Sequence, residues 1–272
     1  MVKIVEIIQI SDLHYDGGFK EEYMENVINY INNSRPDAVI CTGDIAHKGR
    51  LAQFRGISPF LEKIKPKLLL VPGNHDAKNN GLIFFEKLFG PRRWSLSIEE
   101  KDTIIVGLSS VMDDMKDGEI GDDQLLWLAQ QFHKPKKPLL ENRIMALHHH
   151  LIPLPLAGRK WTTVRDAGEI LEFAQLYHID LILSGHRHVP HAWVIGPTTF
   201  LYCGTSSSDK VRADEPPSFN HITLDKGDLD VQMVSSMDLQ KQPLLTRKNG
   251  RTKFMRPRRT RIEHLLETNY LD

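Results

Sequence analysis

Short apolar stretches rich in β-branched and aliphatic residues recur along the chain, and amphipathic stretches separate the early ones. Strand alternating with helix in this way predicts an α/β sandwich with an at least partly parallel sheet. Val2 to Ile10 reads as the first strand. In Tyr23 to Asn33, the residues Met24, Val27, Ile28 and Ile31 fall at helical spacing, so this segment lays one face on a sheet. Asp37 to Cys41 predicts a second strand, Leu51 to Ile64 a helix kinked or split near Pro59, and Lys67 to Val71 a third strand. Two successive βαβ units result.

Seven further strands are expected at Thr103 to Leu108, Arg143 to Leu147, Asp180 to Leu183, Ala192 to Ile195, Thr199 to Cys203, His221 to Leu224 and Leu229 to Val234. Helices fit Asp122 to His133 and Asp166 to Tyr177, the latter with Asp166 as its N-cap. Because the late strands lack helices between them, the C-terminal half is expected to form a second, more antiparallel sheet packed on the first. From Asp238 the composition turns polar and basic, which divides the chain into a body over 1–237 and an extension over 238–272. Within the extension, Thr260 and Glu263 match a capping box ahead of Ile262, Leu265, Leu266 and Tyr270. That apolar stripe needs cover, either from the body or from a second copy in a homo-oligomer.

Composition excludes some classes. The 40% hydrophobic and 26% charged content of the 272 residues is that of a globular chain. The Val2–Ile10 run is interrupted by Lys3, Glu6 and Gln9 and is too short for a membrane span or a signal core, so a cytoplasmic protein is expected. Both cysteines, Cys41 and Cys203, sit in apolar runs that predict buried free thiols. Charge is balanced at 35 basic and 35 acidic residues, yet eight of the basic ones and no acid lie between Arg247 and Arg261. The remainder is acidic, which disfavours a long nucleic acid as substrate.

The candidate chemistry stands at predicted strand ends. Strand one leads into Asp12-Leu13-His14, strand two into Gly43-Asp44, and strand three into Gly73-Asn74-His75-Asp76. Later strands lead into His148-His149-His150 and Gly185-His186-Arg187-His188. In an open α/β sheet the crevice beyond the carboxyl ends of the strands is where ligands bind, so all five can converge. Asp12 and His14, or His186 and His188, would point the same way from an extended segment. Carboxylates, imidazoles and an amide without thiolates suit Mn, Fe, Zn, Co or Ni. Each motif alone is commonplace; five in order at five strand ends indicate a metal centre.

This motif set resembles the calcineurin-like metallophosphoesterase family over roughly residues 3 to 225. Asp117-Gly118-Glu119-Ile120-Gly121, Gln124-Leu125-x-Trp127-Leu128 and Pro216-Pro217-Ser218-Phe219-Asn220 are similar to its cyclic-nucleotide-phosphodiesterase-like branch. The resemblance implies a four-layer α/β/β/α sandwich of two mixed sheets flanked by helices. It also implies two divalent metals bridged by Asp44 and a hydroxide that attacks phosphorus. Asp12, His14 and His188 would complete one metal's ligands, and Asn74, His148 and His186 the other's, with His149 next in line should the register shift. His75 would assist the leaving group, oriented by Asp76.

Loops from the same strand ends should wall the substrate: Tyr15 to Lys20, His47 to Arg50, Lys78 to Gly81, Ser109 to Gly121 and Leu151 to Arg165. Arg159 and Lys160 offer cations and Trp161 an aromatic plane for a small phosphoester, with His149 nearby. Three functions remain open on these residues. One is a phosphodiesterase on small diesters such as cyclic nucleotides, and one a phosphomonoesterase or nuclease on the same centre. The third, a non-catalytic binding scaffold, is disfavoured because no ligand is missing.

Overall fold

The computed structural model describes residues 4–132, 142–155, 163–212, 215–225 and 227–254. The strands are β1 (Val5–Ile10), β2 (Ala38–Cys41), β3 (Leu68–Leu70), β4 (Trp94–Ile98), β5 (Thr103–Gly107), β6 (Asn142–Ala146) and β7 (Leu181–Ser184). They continue as β8 (His191–Ile195), β9 (Thr198–Tyr202), β10 (Ser218–Asp225), β11 (Asp228–Ser235), β12 (Lys241–Lys248) and β13 (Arg251–Phe254). The helices are α1 (Glu21–Ser34), α2 (Leu51–Leu61), α3 (Gly81–Phe89), α4 (Asp122–Phe132) and α5 (Ala167–Leu176).

Two mixed sheets form, with orders β13-β12-β11-β10-β1-β2-β3 and β4-β5-β6-β7-β9-β8. Period-two alternation divides their residues among three cores. On β1, Val5 and Ile7 face the second sheet, whereas Ile8 and Ile10 face α1 and α2. On β5, Ile105 faces inward, and Ile104 and Val106 pack with Phe132 of α4 and Phe173 of α5. Helix layer, sheet, sheet and helix layer follow in that order, the α/β/β/α sandwich that the resemblance implied.

The late strands do not behave as expected. β10 pairs antiparallel with β1, and β11 to β13 extend that first sheet, while the second sheet has a parallel centre, β5-β6-β7-β9. β10 fits there because Phe219 reaches the α1 core while Ile222 and Leu224 fill the space between the sheets. The division at 237/238 also changes. β12 and β13 continue the sheet through Phe254, with Leu244 and Leu245 buried and Arg247 donating to the Pro197 and Gly227 carbonyls. Thr260, Glu263 and the apolar stripe lie outside the described residues.

Three smaller differences have local causes. α2 does not split at Pro59; it runs unbroken over Leu51–Leu61 and ends two residues after the proline. Asp166 precedes α5 but gives that helix no side-chain cap; its carboxylate accepts from Ile120 and Gly121 N–H, tying α5 to the loop before α4. α3 and β4 were not expected at all. Cys41 and Cys203 are buried free thiols.

Candidate metal centre

The carboxyl ends of β1, β2 and β3 meet those of β6 and β7. Asp12 N–H donates to the Gly43 carbonyl and His14 N–H to that of Asp44, each at 2.9 Å, which locks the loops after β1 and β2 together. Asp12 and His14 do project the same way, but not from an extended strand. Both have positive φ (53° and 50°), with buried Leu13 between them. Asp44, His186 and His188 share that left-handed backbone. Gly73 allows the β3 loop to approach, since a Cβ there would lie 2.2 Å from the backbone nitrogen and Oδ1 of Asp44.

The side chains fall into two groups joined by Asp44. In one, His14 Nε2 lies 2.9 Å from His188 Nε2, and Asp12 Oδ1 is 3.2 Å from His188 Nε2. In the other, Asn74 Oδ1 lies 3.2 Å from His148 Nε2 and 3.0 Å from His186 Nδ1. Asp44 turns Oδ2 toward His14 Nε2 at 3.7 Å and Oδ1 toward His148 Nε2 at 3.5 Å.

Asp12, His148 and His188 are held from behind. His148 Nδ1 donates to the Thr42 carbonyl at 2.7 Å, and His188 Nδ1 to the Lys210 carbonyl. Asp12 Oδ2 accepts from Ser11 Oγ at 2.6 Å and from His186 N–H at 3.0 Å. Fixed in this way, the remaining imidazole nitrogens aim lone pairs inward, as metal-ligating histidines do.

Burial holds His14 near a pKa of about 3 and His186 well below the ordinary imidazole value. Burial opposes the charge on Asp12 and Asp44 too, yet the adjoining imidazoles (His188 for Asp12, His148 and His75 for Asp44) keep both below the usual carboxylate range. His188 goes the other way: burial would lower it, but the Asp12 carboxylate raises it.

Facing imidazole lone pairs and buried carboxylates repel unless a cation separates them. Asp12 Oδ1 is buried without a hydrogen bond of acceptable geometry, although His188 is near. Asp12, His14 and His188, and likewise Asp12, Asp44 and His148, bring donor atoms within 4.8 Å of one another. This oxygen and nitrogen donor set fits a divalent transition metal.

The neighbouring residues sort themselves by their partners. His149, expected at the substrate wall, is fully buried, with Nδ1 at Ser110 Oγ (3.0 Å) and Nε2 at the Lys116 carbonyl (3.1 Å). It shapes the Ser109–Gly121 loop from behind. His150 gives Nε2 to the Gly185 carbonyl at 2.6 Å. His75 stands beside His14 with ring centroids 4.8 Å apart, and its backbone N–H donates to Asp44 Oδ1 at 2.7 Å.

Asp76 does not orient His75. Its carboxylate accepts from Ile45, Ala46 and Gly73 N–H, bracing the loop that carries Asp44, and burial beside Asp44 raises its pKa to about 7. The His47 carbonyl takes the proton on His75 Nδ1 instead, at 2.6 Å. Arg159, Lys160 and Trp161 lie outside the described residues.

Two contributors had gone unnoticed. Thr205, Ser206, Ser207 and Ser208 form a buried hydroxyl run after β9, with Thr205 Oγ1 donating to the Asp12 carbonyl at 2.7 Å and Ser206 Oγ accepting from Ser11 N–H at 2.9 Å. Small hydroxyl residues directly after a strand were the available signal. His47 was placed only within a wall loop, because a lone histidine after Gly-Asp carries no spacing pattern.

The family model for calcineurin-like phosphoesterases matches residues 5–190. The chain belongs to this family and is a metal-dependent phosphoester hydrolase. A probable cyclic nucleotide phosphodiesterase of Vesicomyosocius okutanii is 27% identical over 234 residues, 83% of this chain and 96% of that protein. A cAMP/cGMP dual specificity phosphodiesterase of Mycobacterium tuberculosis is 29% identical over 201 residues, 67% of this chain and 61% of its own. Among solved structures, a purple acid phosphatase from yellow lupin superposes with a TM-score of 0.72 at 13% identity, covering 89% of this chain and 53% of that one, a likeness of fold.

Proposed function

We propose that the protein hydrolyses small phosphodiesters at a dinuclear centre, with Asp12, His14 and His188 on one metal, Asn74, His148 and His186 on the other, and Asp44 shared. The divided Asp44 carboxylate, one oxygen toward each histidine group, carries this assignment. When bound, two divalent cations clamp phosphate oxygens and supply an activated water. The names of the relatives point to cyclic nucleotides as candidate substrates.

The chain's own residues arrange the rest. With Nδ1–H anchored on the His47 carbonyl, His75 in its imidazolium form would present Nε2–H to the departing alkoxide and pass that proton to it. No residue need bond covalently to phosphorus. Asp76, by holding the β2 loop, positions Asp44.

Metal-free protein reconstituted with Mn, Fe, Zn or Ni should hydrolyse bis-p-nitrophenyl phosphate and cyclic AMP faster than p-nitrophenyl phosphate or single-stranded DNA. A preference for the monoester or the DNA would replace the diesterase assignment with a phosphatase or nuclease. His75→Ala should retain its metals and lose about 10²–10⁴-fold in turnover, the usual range for a general acid. The loss should be steeper for poor leaving groups; a uniform loss across a leaving-group series would assign His75 a structural role.

A further inference from the structure

Two half-buried lysines stand beside the centre, and among the described residues neither forms an ion pair with a carboxylate of its own. Lys210 follows the hydroxyl run; its carbonyl takes the His188 proton, and its Nζ lies 3.2 Å and 3.4 Å from the ring nitrogens of His47. His47 is built into place. Its ring lies so close over Gly17 that a Cβ there would meet Cγ at 2.1 Å, and its centroid is 5.1 Å from that of His75 and 5.7 Å from that of His14. The Lys210 ammonium is therefore one ring beyond His75.

Lys78, two residues after Asp76, stands on a loop tied to the His47 loop, since Asn79 Nδ2 donates to the Lys48 carbonyl at 2.8 Å. Burial lowers the pKa of both lysines; the Asp209 and Asp44 carboxylates counteract this for Lys210 and the Asp44 carboxylate for Lys78, while Lys116 and Lys210 add to the lowering for Lys78. His75 in turn feels Lys78. Among the described residues, the acids near these cations are committed elsewhere. Asp209 pairs with Lys20 at 2.9 Å, Asp76 holds three backbone N–H groups, and Asp12 and Asp44 belong to the metal donors. Cations gathered in a partly desolvated mouth, where the carboxylates near them among the described residues are shared with other partners, favour an anion arriving with the substrate.

We propose that Lys78 and Lys210 bind a second phosphate of the substrate, on the leaving-group side next to His75, so that the preferred substrate is a phosphodiester carrying an additional phosphomonoester group. The inference deepens the phosphodiesterase function and rests on it. A scissile diester bears one negative charge and is met by the metal donors' side, whereas a terminal phosphate bears roughly −1.5 to −2 at neutral pH, the charge that two ammonium groups match. A 5′-phosphorylated dinucleotide has this form. Water oxygen bonds to phosphorus, the P–O3′ bond breaks, O3′ takes a proton, and two nucleoside 5′-monophosphates leave.

The decisive comparison uses pApA and ApA, which differ only in the 5′-phosphate, with the metal-loaded full chain. The kcat/KM ratio should favour pApA by about tenfold or more. Lys78→Met and Lys210→Met should each bring the ratio within about twofold of unity, while Lys20→Met, a cation engaged with Asp209, should leave it unchanged. Because the ratio cancels any loss of folded protein, it reports recognition alone. Metal-free protein offers a second readout: adenosine 3′,5′-bisphosphate should bind tighter than 3′-AMP, which lacks only the 5′-phosphate, and the lysine variants should abolish the difference. A wild-type ratio near one, or equal losses on both dinucleotides in the lysine variants, would overturn the second-phosphate site. Absence of bis-p-nitrophenyl phosphate hydrolysis would instead remove the diesterase function on which it rests.

Discussion

The two sheets contribute unlike halves to the centre. The first, through the ends of β1, β2 and β3, supplies both carboxylates and the amide along with a single imidazole, His14. The second, through β6 and β7, supplies imidazoles alone: His148, His186 and His188. The means of holding them differ accordingly. Carboxylates are gripped by donors, Asp12 by Ser11 and His186 N–H and Asp44 by His75 N–H, whereas His148 and His188 are gripped by acceptors, the Thr42 and Lys210 carbonyls. Apart from His14, the imidazoles are thus separated in sequence from the carboxylates and meet them only when the sheets stack. The Asp12–His14–His188 and Asp12–Asp44–His148 donor groups both draw on the two halves.

Removing the shared charge should break this comparison most severely. Asp44→Asn keeps the shape but takes the anion from between the halves; elemental analysis should show metal lost at both poles, and turnover should fall by well over about 100-fold, the upper end for changes behind a ligand. Two metals per chain in that variant would rule out a shared role. His186→Ala alters the imidazole half alone, and metal per chain should fall toward half of the wild-type value while the Asp12 pole keeps its ion.

Ser11→Ala sharpens the contrast from the carboxylate side. Without the 2.6 Å hydrogen bond, metal affinity measured by chelator competition should fall about tenfold or somewhat more. An unchanged affinity would mean that His186 N–H holds Asp12 by itself. The smallest effect on chemistry should come from Gln9, which bolts the sheets together beneath the site. Its Nε2 donates to Thr42 Oγ1 and the Ser184 carbonyl, and its Oε1 accepts from Asn220. Gln9→Leu should cost about 1–3 kcal/mol of stability in urea melts, the penalty for stranding buried polar groups, with turnover little altered.

What the sequence disclosed followed from how strongly each segment repeats a physical rule. α1 was legible because Met24, Val27, Ile28 and Ile31 share one face, and the site motifs because five polar clusters each follow an apolar strand. β12 and β13 were hidden because Lys241, Gln242 and Arg251 are exposed and Pro243 interrupts the pattern, so only Leu244 and Leu245 report burial. α3 was hidden because Asn79 and Asn80 adopt left-handed conformations immediately before Gly81, leaving no ordinary capping signal. Pairing between β1 and β10 joins residues more than 200 positions apart, and no local pattern states which sheet a late strand will choose. The orientation of His75 was misassigned for a similar reason. The nearest carboxylate in sequence, Asp76, serves the β2 loop, and a carbonyl 28 positions away serves the imidazole.

The left-handed backbone at Asp12, His14, Asp44, His186 and His188 bears on transplantation of the centre. An L-residue in that region costs about 1–2 kcal/mol, and the surrounding sheets must over-determine each one for it to persist. Copying the seven donor side chains onto another scaffold with relaxed loops would therefore not reproduce the centre, because the Cα–Cβ vectors would point elsewhere. A graft would need the turns themselves, including the Gly73 approach and the Asp12-to-Gly43 hydrogen bond. In this protein the unit that can be moved or inherited is the bent main chain, and the candidate ligands are passengers on it.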